Sequence, residues 1–176
     1  MAFQNGVPVL ASLHLTHNLL GKIPFMAISS MKSLKNLDLS NNRIETIEDS
    51  FSKIKLKLDK LNLDENNIQI ITKTSFQNFK WINHTSLRNN PLHTIQDHIF
   101  LDTGVRELDL HNCRIGNIGP GALRGLERSL ESLDLSSNRL SFLPTSLFDD
   151  FDSIRKLSLS NNMMTVSPNI SFTSFR

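Results

Sequence analysis

Leu130 to Leu140, "LESLDLSSNRL", is the stretch whose reading decides the fold. Its apolar residues Leu130, Leu133, Leu135 and Leu140 fit neither the alternation of a long strand nor the stripe of an amphipathic helix, and Asn138 sits between the last two. Leu133 and Leu135 are two apart, so on a short strand both point to one face while Asp134 and Ser136 point to the other. Leu130 then enters from the preceding bend, and Leu140 and Leu143 turn inward again after the strand.

The same phrase recurs along the chain. Starting at Leu10, Leu34, Leu58, Ile82, Val105, Leu130 and Ile154 are "LASLHLTHNLL", "LKNLDLSNNRI", "LDKLNLDENNI", "INHTSLRNNPL", "VRELDLHNCRI", "LESLDLSSNRL" and "IRKLSLSNNMM", in steps of 24, 24, 24, 23, 25 and 24 residues. A unit of this size cannot bury its own apolar face, so it must stack on a copy of itself, which lays parallel strands side by side. The expectation is one domain over residues 1–176 of about seven repeats.

That spacing explains the asparagine. Asn18, Asn42, Asn66, Asn90, Asn138 and Asn162 fall where the strand ends and the backbone bends, leaving buried amides in need of partners. A side-chain amide supplies donors and an acceptor, so a column of them can serve neighbouring turns. Cys113 takes the place in the fifth repeat and is read as structural rather than reactive. The return halves carry a second column, Phe51, Phe76, Phe100, Phe148 and Phe172, with Leu123 in the fifth repeat and Ile28 in the first, expected as core on the convex side. Pro24, Pro120, Pro144 and Pro168 interrupt that half, so short turns or 3₁₀ segments are expected there.

The pattern L-x-x-L-x-L-x-x-N/C-x-L resembles the leucine-rich repeat family over nearly the whole chain. The resemblance implies an α/β leucine-rich repeat solenoid with a curved parallel β-sheet on its concave side. Units of about 24 residues with "LP" and "LF" in the return half, as in "LSFLPTSLFDDFDSI", are similar to the extracellular "typical" subclass. "GALRGLERSLESLDLSSNRLSFLP" resembles chaoptin-type adhesion proteins of arthropods, with Toll-like receptor ectodomains next. "NLLGKIP", Asn18 to Pro24, departs from this and is similar to the plant-type return. What the resemblance implies is an extracellular or cell-surface recognition protein that binds protein, with a second copy of itself among the candidate partners. The rival is an innate-receptor ectodomain that binds ligand and signals, and the third reading is an intracellular scaffold. Neither end carries the cysteine-rich caps of extracellular members, so an interior piece of a longer ectodomain is expected.

Charge and composition narrow the partners. With 19 Lys and Arg against 17 Asp and Glu the formal charge is +2, and no run of like charge suggests a nucleic-acid partner. One cysteine excludes an internal disulfide framework. "MAFQNGVPVL" lacks the basic lead and apolar core of a secretory leader, and nothing approaches the ~20 apolar residues of a membrane span, so a membrane is expected only through a region outside this chain.

The outward strand positions read down the stack as His14, Asp38, Asn62, Ser86, Asp109, Asp134 and Ser158, and then Thr16, Ser40, Asp64, Arg88, His111, Ser136 and Ser160. They are small and polar, without the aromatic anchors common at interface centres. Asp64, Glu65, Arg88, Asp109, His111 and Asp134 cluster mid-stack, either as a contact patch for a protein or as an ordinary solvated face. Two triplets, "NHT" at Asn83 and "NIS" at Asn169, have the form of glycosylation acceptors. Asn83 is expected at an exposed position beside its strand. His14 and His17 face different directions, no phosphate loop or nucleophile elbow occurs, and neither an enzyme nor a cofactor is expected.

Overall fold

The computed structural model describes residues 9–48 and 55–165. Phe51, Phe172, Pro168 and Asn169 lie outside them. Seven short parallel strands form one sheet: β1 (Ser12–His14), β2 (Asn36–Asp38), β3 (Leu56–Asn62), β4 (Phe79–Ser86), β6 (Glu107–Asp109), β8 (Ser132–Asp134) and β9 (Lys156–Ser158), in that spatial order. Leu13, Leu37, Leu61, Thr85, Leu108, Leu133 and Leu157 are register partners from strand to strand, so they make one interior file. Thr85 alone among them is not leucine. Hydrogen bonding runs past each strand, because the next two alternate amides also donate across to the following repeat, as Leu87 N does to Asp109 O at 2.9 Å and Asn89 N to His111 O at 3.0 Å.

The bend after each strand is one conformation used seven times. His17, Asn41, Glu65, Asn89, Asn112, Ser137 and Asn161 all have positive φ, between 52° and 57°. Left-handed backbone at that point reverses the side-chain alternation, and asparagine tolerates it better than most residues. The next residue is the ladder position. Asn66 shows the pattern: its Nδ2 donates to Leu63 O and to Leu39 O of the previous repeat, both at 3.0 Å, and its Oδ1 accepts from Ile44 N at 2.9 Å. Asn42, Asn90, Asn138 and Asn162 repeat this set. Among the described residues Asn18 bonds only within its own turn. Each buried asparagine therefore ties two repeats together.

Cys113 fits the column by a substitution of partners. Its thiol donates to Leu87 O at 3.0 Å, replacing the amide donor. The acceptor that asparagine would supply is replaced by the backbone, since Leu92 N donates to Cys113 O at 3.1 Å and to Asn90 O at 2.9 Å. The residue is fully buried, and burial pushes the thiol up to about 12, the environment of an inert structural cysteine.

The return segments pack the second column inward. Ile28, Phe76, Phe100, Leu123 and Phe148 are all buried, and the rings of Phe76 and Phe100 stand 5.2 Å apart. Phe79 joins them, 5.7 Å from Phe25 and 6.1 Å from Phe76. Among the described residues the return segments form the expected short turns. They are single i→i+3 turns such as Gln77 N to Thr74 O and Leu147 N to Pro144 O, with one helical turn, α1 (Phe25–Ile28), and a small parallel pair, β5 (Thr94–Ile95) with β7 (Asn117–Ile118). Prolines and positive-φ residues at His93, His98, Asp102 and Asp150 break the segments before a second helical turn can close.

β3 and β4 run further upstream than the other strands. In "KLKLDKL" Leu56 and Leu58 are buried and Lys55 and Lys57 exposed, a period of two that extends the strand, and Lys57 pairs in register with Trp81 after a bulge. This extension carries the chain's one tryptophan onto the flank of the solenoid, where Gly104 (φ 61°) lies against the indole.

Candidate functional site

The outward face of the sheet carries three columns of side chains, not two. Because Leu133 and Leu135 point inward, Ser132 shares a face with Asp134, and the column through it is Ser12, Asn36, Lys60, His84, Glu107, Ser132 and Lys156. Reading the alternation backwards by one step would have found it. This column holds Lys60, His84, Glu107 and Lys156, which complete the rim of the recess formed by Asn62, Asp64, Ser86, Arg88, Asp109 and Asp134.

The structure brings most of the expected cluster together. Arg88 Nε lies 3.7 Å from Asp109 Oδ2 one repeat on, and His84 Nδ1 2.9 Å from Glu107 Oε2. His111 Nδ1 is 2.9 Å from Ser136 Oγ, which in turn donates to Asp134. Glu65 stands apart. It occupies the left-handed bend, and its carboxylate accepts from Asn89 Nδ2 at 2.7 Å, on the margin that also holds Pro91, Asn112 and Arg114. The change of hand at that bend takes it off the sheet face, so its place in the cluster is corrected.

The three central carboxylates differ in what holds them. Desolvation raises the pKa of Asp64 above the usual carboxylate range, against hydrogen bonds from Ser86 and from Arg88 N. Burial also acts to raise Asp134, but donation from Ser136 Oγ and N, with His111 and Lys156 nearby, brings it below that range. Asp109 accepts from His111 N at 2.9 Å. The folded state thus carries a charge at Asp64 that it solvates poorly. Since its folded pKa lies above the unfolded one, protonation favours folding as pH falls through that raised value. The Asp64→Asn variant is expected to melt above wild type at pH 7, with the difference shrinking as pH drops through the folded pKa. Thermal melts at stepped pH measure this, and a gap that widens in acid would contradict it.

The face brings one histidine against a serine, His111 Nδ1 to Ser136 Oγ, but that hydroxyl donates to Asp134, and among the described residues no group of three or more His, Cys, Asp or Glu could hold a metal ion. No described helix is long and apolar enough to cross a membrane. His14 lies 3.8 Å from Asp38, whereas His17 occupies the left-handed bend. Asn83 sits within β4, half-buried, with its amide oxygen enclosed. The expectation of an exposed residue beside the strand is corrected, because β4 begins four residues before it.

With fold and face described, comparison with known proteins places the chain. The family model for the leucine rich repeat matches residues 8–57, 103–164 and 128–175. The chain belongs to the leucine-rich repeat family. It is 39% identical to Chaoptin of Drosophila melanogaster over 128 residues, covering 73% of this chain and 10% of that protein. It is 31% identical to Tsukushi of Gallus gallus over 138 residues, 76% of this chain and 37% of the relative. Among solved structures it is similar to the TLR13–ssRNA13 complex, with a TM-score of 0.76 and 27% identity over 96% of this chain and 28% of that one. The chain therefore spans well under half the length of these relatives. That last neighbour was solved with an RNA, so the expectation that nucleic acid is excluded gains no support.

Proposed function

We propose that the protein is a non-catalytic recognition module of the cell surface or extracellular space that binds a protein partner through the outward face of its sheet, as part of an adhesion or recognition ectodomain. The observation that carries this is the central recess: Lys60, Arg88 and Lys156 interleave with Asp64, Glu107, Asp109 and Asp134 on adjacent strands, each held by backbone that the ladder below makes rigid. A mixed-sign array of fixed geometry selects partners by charge complementarity more than by apolar area. The identity with Chaoptin supports the adhesion reading.

Suspension cells displaying the chain, mixed with one another and with undecorated cells, provide the test. Clustering or heterotypic binding is expected, and the joint Arg88→Glu, Asp109→Arg variant, which preserves net charge and total pairing, is expected to lose at least tenfold in bound cells. Adhesion unchanged by that variant would contradict a role for this face. The likeness to the TLR13 structure favours a second reading, a receptor ectodomain. Under it the displayed chain fails to hold cells together but dimerises when ligand is added.

A further inference from the structure

The fourth repeat breaks the inward file, and the break coincides with a motif. Where six repeats place leucine, it places Thr85, in register with Leu61 and Leu108. Thr85 is 2% exposed, and its hydroxyl oxygen has no hydrogen-bond partner. The amide oxygen of Asn83, two residues earlier, is likewise buried without one. Unpaired buried polar atoms oppose folding. Neither atom adds a hydrogen bond to the folded repeat. What the two residues share is the triplet Asn83-His84-Thr85, in which the hydroxyl is required for transfer of an oligosaccharide to the asparagine.

We propose that Asn83 carries an N-linked glycan, added before the fourth repeat folds, and that the Thr85 hydroxyl serves this step rather than the core. This rests on the extracellular reading above, since the transferase acts in the secretory pathway. In the transfer, Asn83 Nδ2 attacks C1 of an oligosaccharide carried on a lipid pyrophosphate. The C–N bond forms, the C1–O bond to pyrophosphate breaks, the lipid pyrophosphate leaves with the bonding pair, and an amide proton passes to a base of the transferase.

The geometry sets both the order and the outcome. In the folded chain β4 is paired on both sides, to β3 and to β6, and Thr85 is enclosed, so the transferase cannot grip the triplet once the sheet has closed. After folding, the amide oxygen of Asn83 is enclosed while the residue as a whole is half-buried. Asn83 stands in the column of Lys35, Asp59, Arg106, Glu131 and Arg155, whose members are exposed or half-exposed. A glycan there leaves along the margin of the sheet beside His84 and does not cross the central recess.

The test is intact mass and peptide mapping of the chain secreted from insect or mammalian cells, with and without peptide-N-glycosidase. A glycan on the Asn83 peptide is expected, lost in Asn83→Gln and Thr85→Val and retained in Thr85→Ser. Unglycosylated Thr85→Val from bacteria is expected to melt above unglycosylated wild type, which shows that loss of the glycan is not loss of folding. Refolded bacterial protein offered to microsomes is expected to stay unmodified. Secreted, folded protein with a bare Asn83 overturns the inference while the extracellular reading stands. Native full-length protein confined to the cytosol overturns that reading instead, and modification of already folded chain overturns the proposed order.

Discussion

Asn90→Ala is expected to lose about 4 kcal/mol of unfolding free energy, several times the usual effect of a single polar substitution. Asn90 Nδ2 donates to Leu63 O at 2.9 Å and Leu87 O at 3.0 Å, and its Oδ1 accepts from Ile68 N at 3.0 Å. All of these groups are enclosed, and alanine strands them where water does not reach. A buried group left without its partner costs roughly 1 to 3 kcal/mol, and at least two are orphaned here. The control is Asn18→Ala, whose amide, among the described residues, bonds only within its own exposed turn and which is expected to cost under about 1 kcal/mol. Urea unfolding followed through Trp81 fluorescence reads both. Equal losses at the two positions would mean that the ladder does not couple repeats.

Gly104→Ala is the second large effect. Gly104 has φ of 61°, and a Cβ there would stand 2.7 Å from Trp81 Cδ1 and 2.9 Å from Nε1. The backbone conformation alone costs a non-glycine residue roughly 1 to 2 kcal/mol, and the indole must also be displaced from its seat. We expect a total loss of about 3 kcal/mol with a shift of the Trp81 emission in the native state, the optical sign that the ring has moved. Gly21→Ala, with nothing within 4 Å of the added atom, is expected to change stability by less than about 0.5 kcal/mol. A native emission spectrum unchanged by Gly104→Ala would show that the glycine does not set the ring's position.

Much of this architecture is written in the spacing. Leu37, Leu61, Leu108 and Leu133 stand in register because the period brings each back to the same point of the coil, and the asparagine column follows from backbone amides that any such bend must leave. What escaped the sequence was directional. Lys60, His84, Glu107 and Lys156 lie one alternation step upstream of the inward file through Leu61, Thr85, Leu108 and Leu157, outside the inward pair that marks each repeat. Glu65 follows the outward alternation in sequence but sits where the backbone turns left-handed, and only the structure shows that change of hand. The lengthening of β3 is legible in the period of two of "KLKLDKL", whereas its pairing with β4, Leu56 against Phe79 and Lys57 against Trp81 across a bulge, takes two repeats to see. Thr85 is plain in "INHTSL", but its orphaned hydroxyl emerges only once its neighbours surround it.

A glycan wedge tests most directly whether the sheet face is the surface that partners touch. Asp134→Asn completes an Asn-Leu-Ser triplet within the central recess, and Glu127→Asn completes an Asn-Arg-Ser triplet on the flank, beside Trp81 and Asp150. With occupancy confirmed by mass, binding by displayed cells is predicted to disappear for the first and to survive for the second. Full binding with the recess filled by sugar, or loss only when the flank is covered, would place recognition elsewhere on the solenoid.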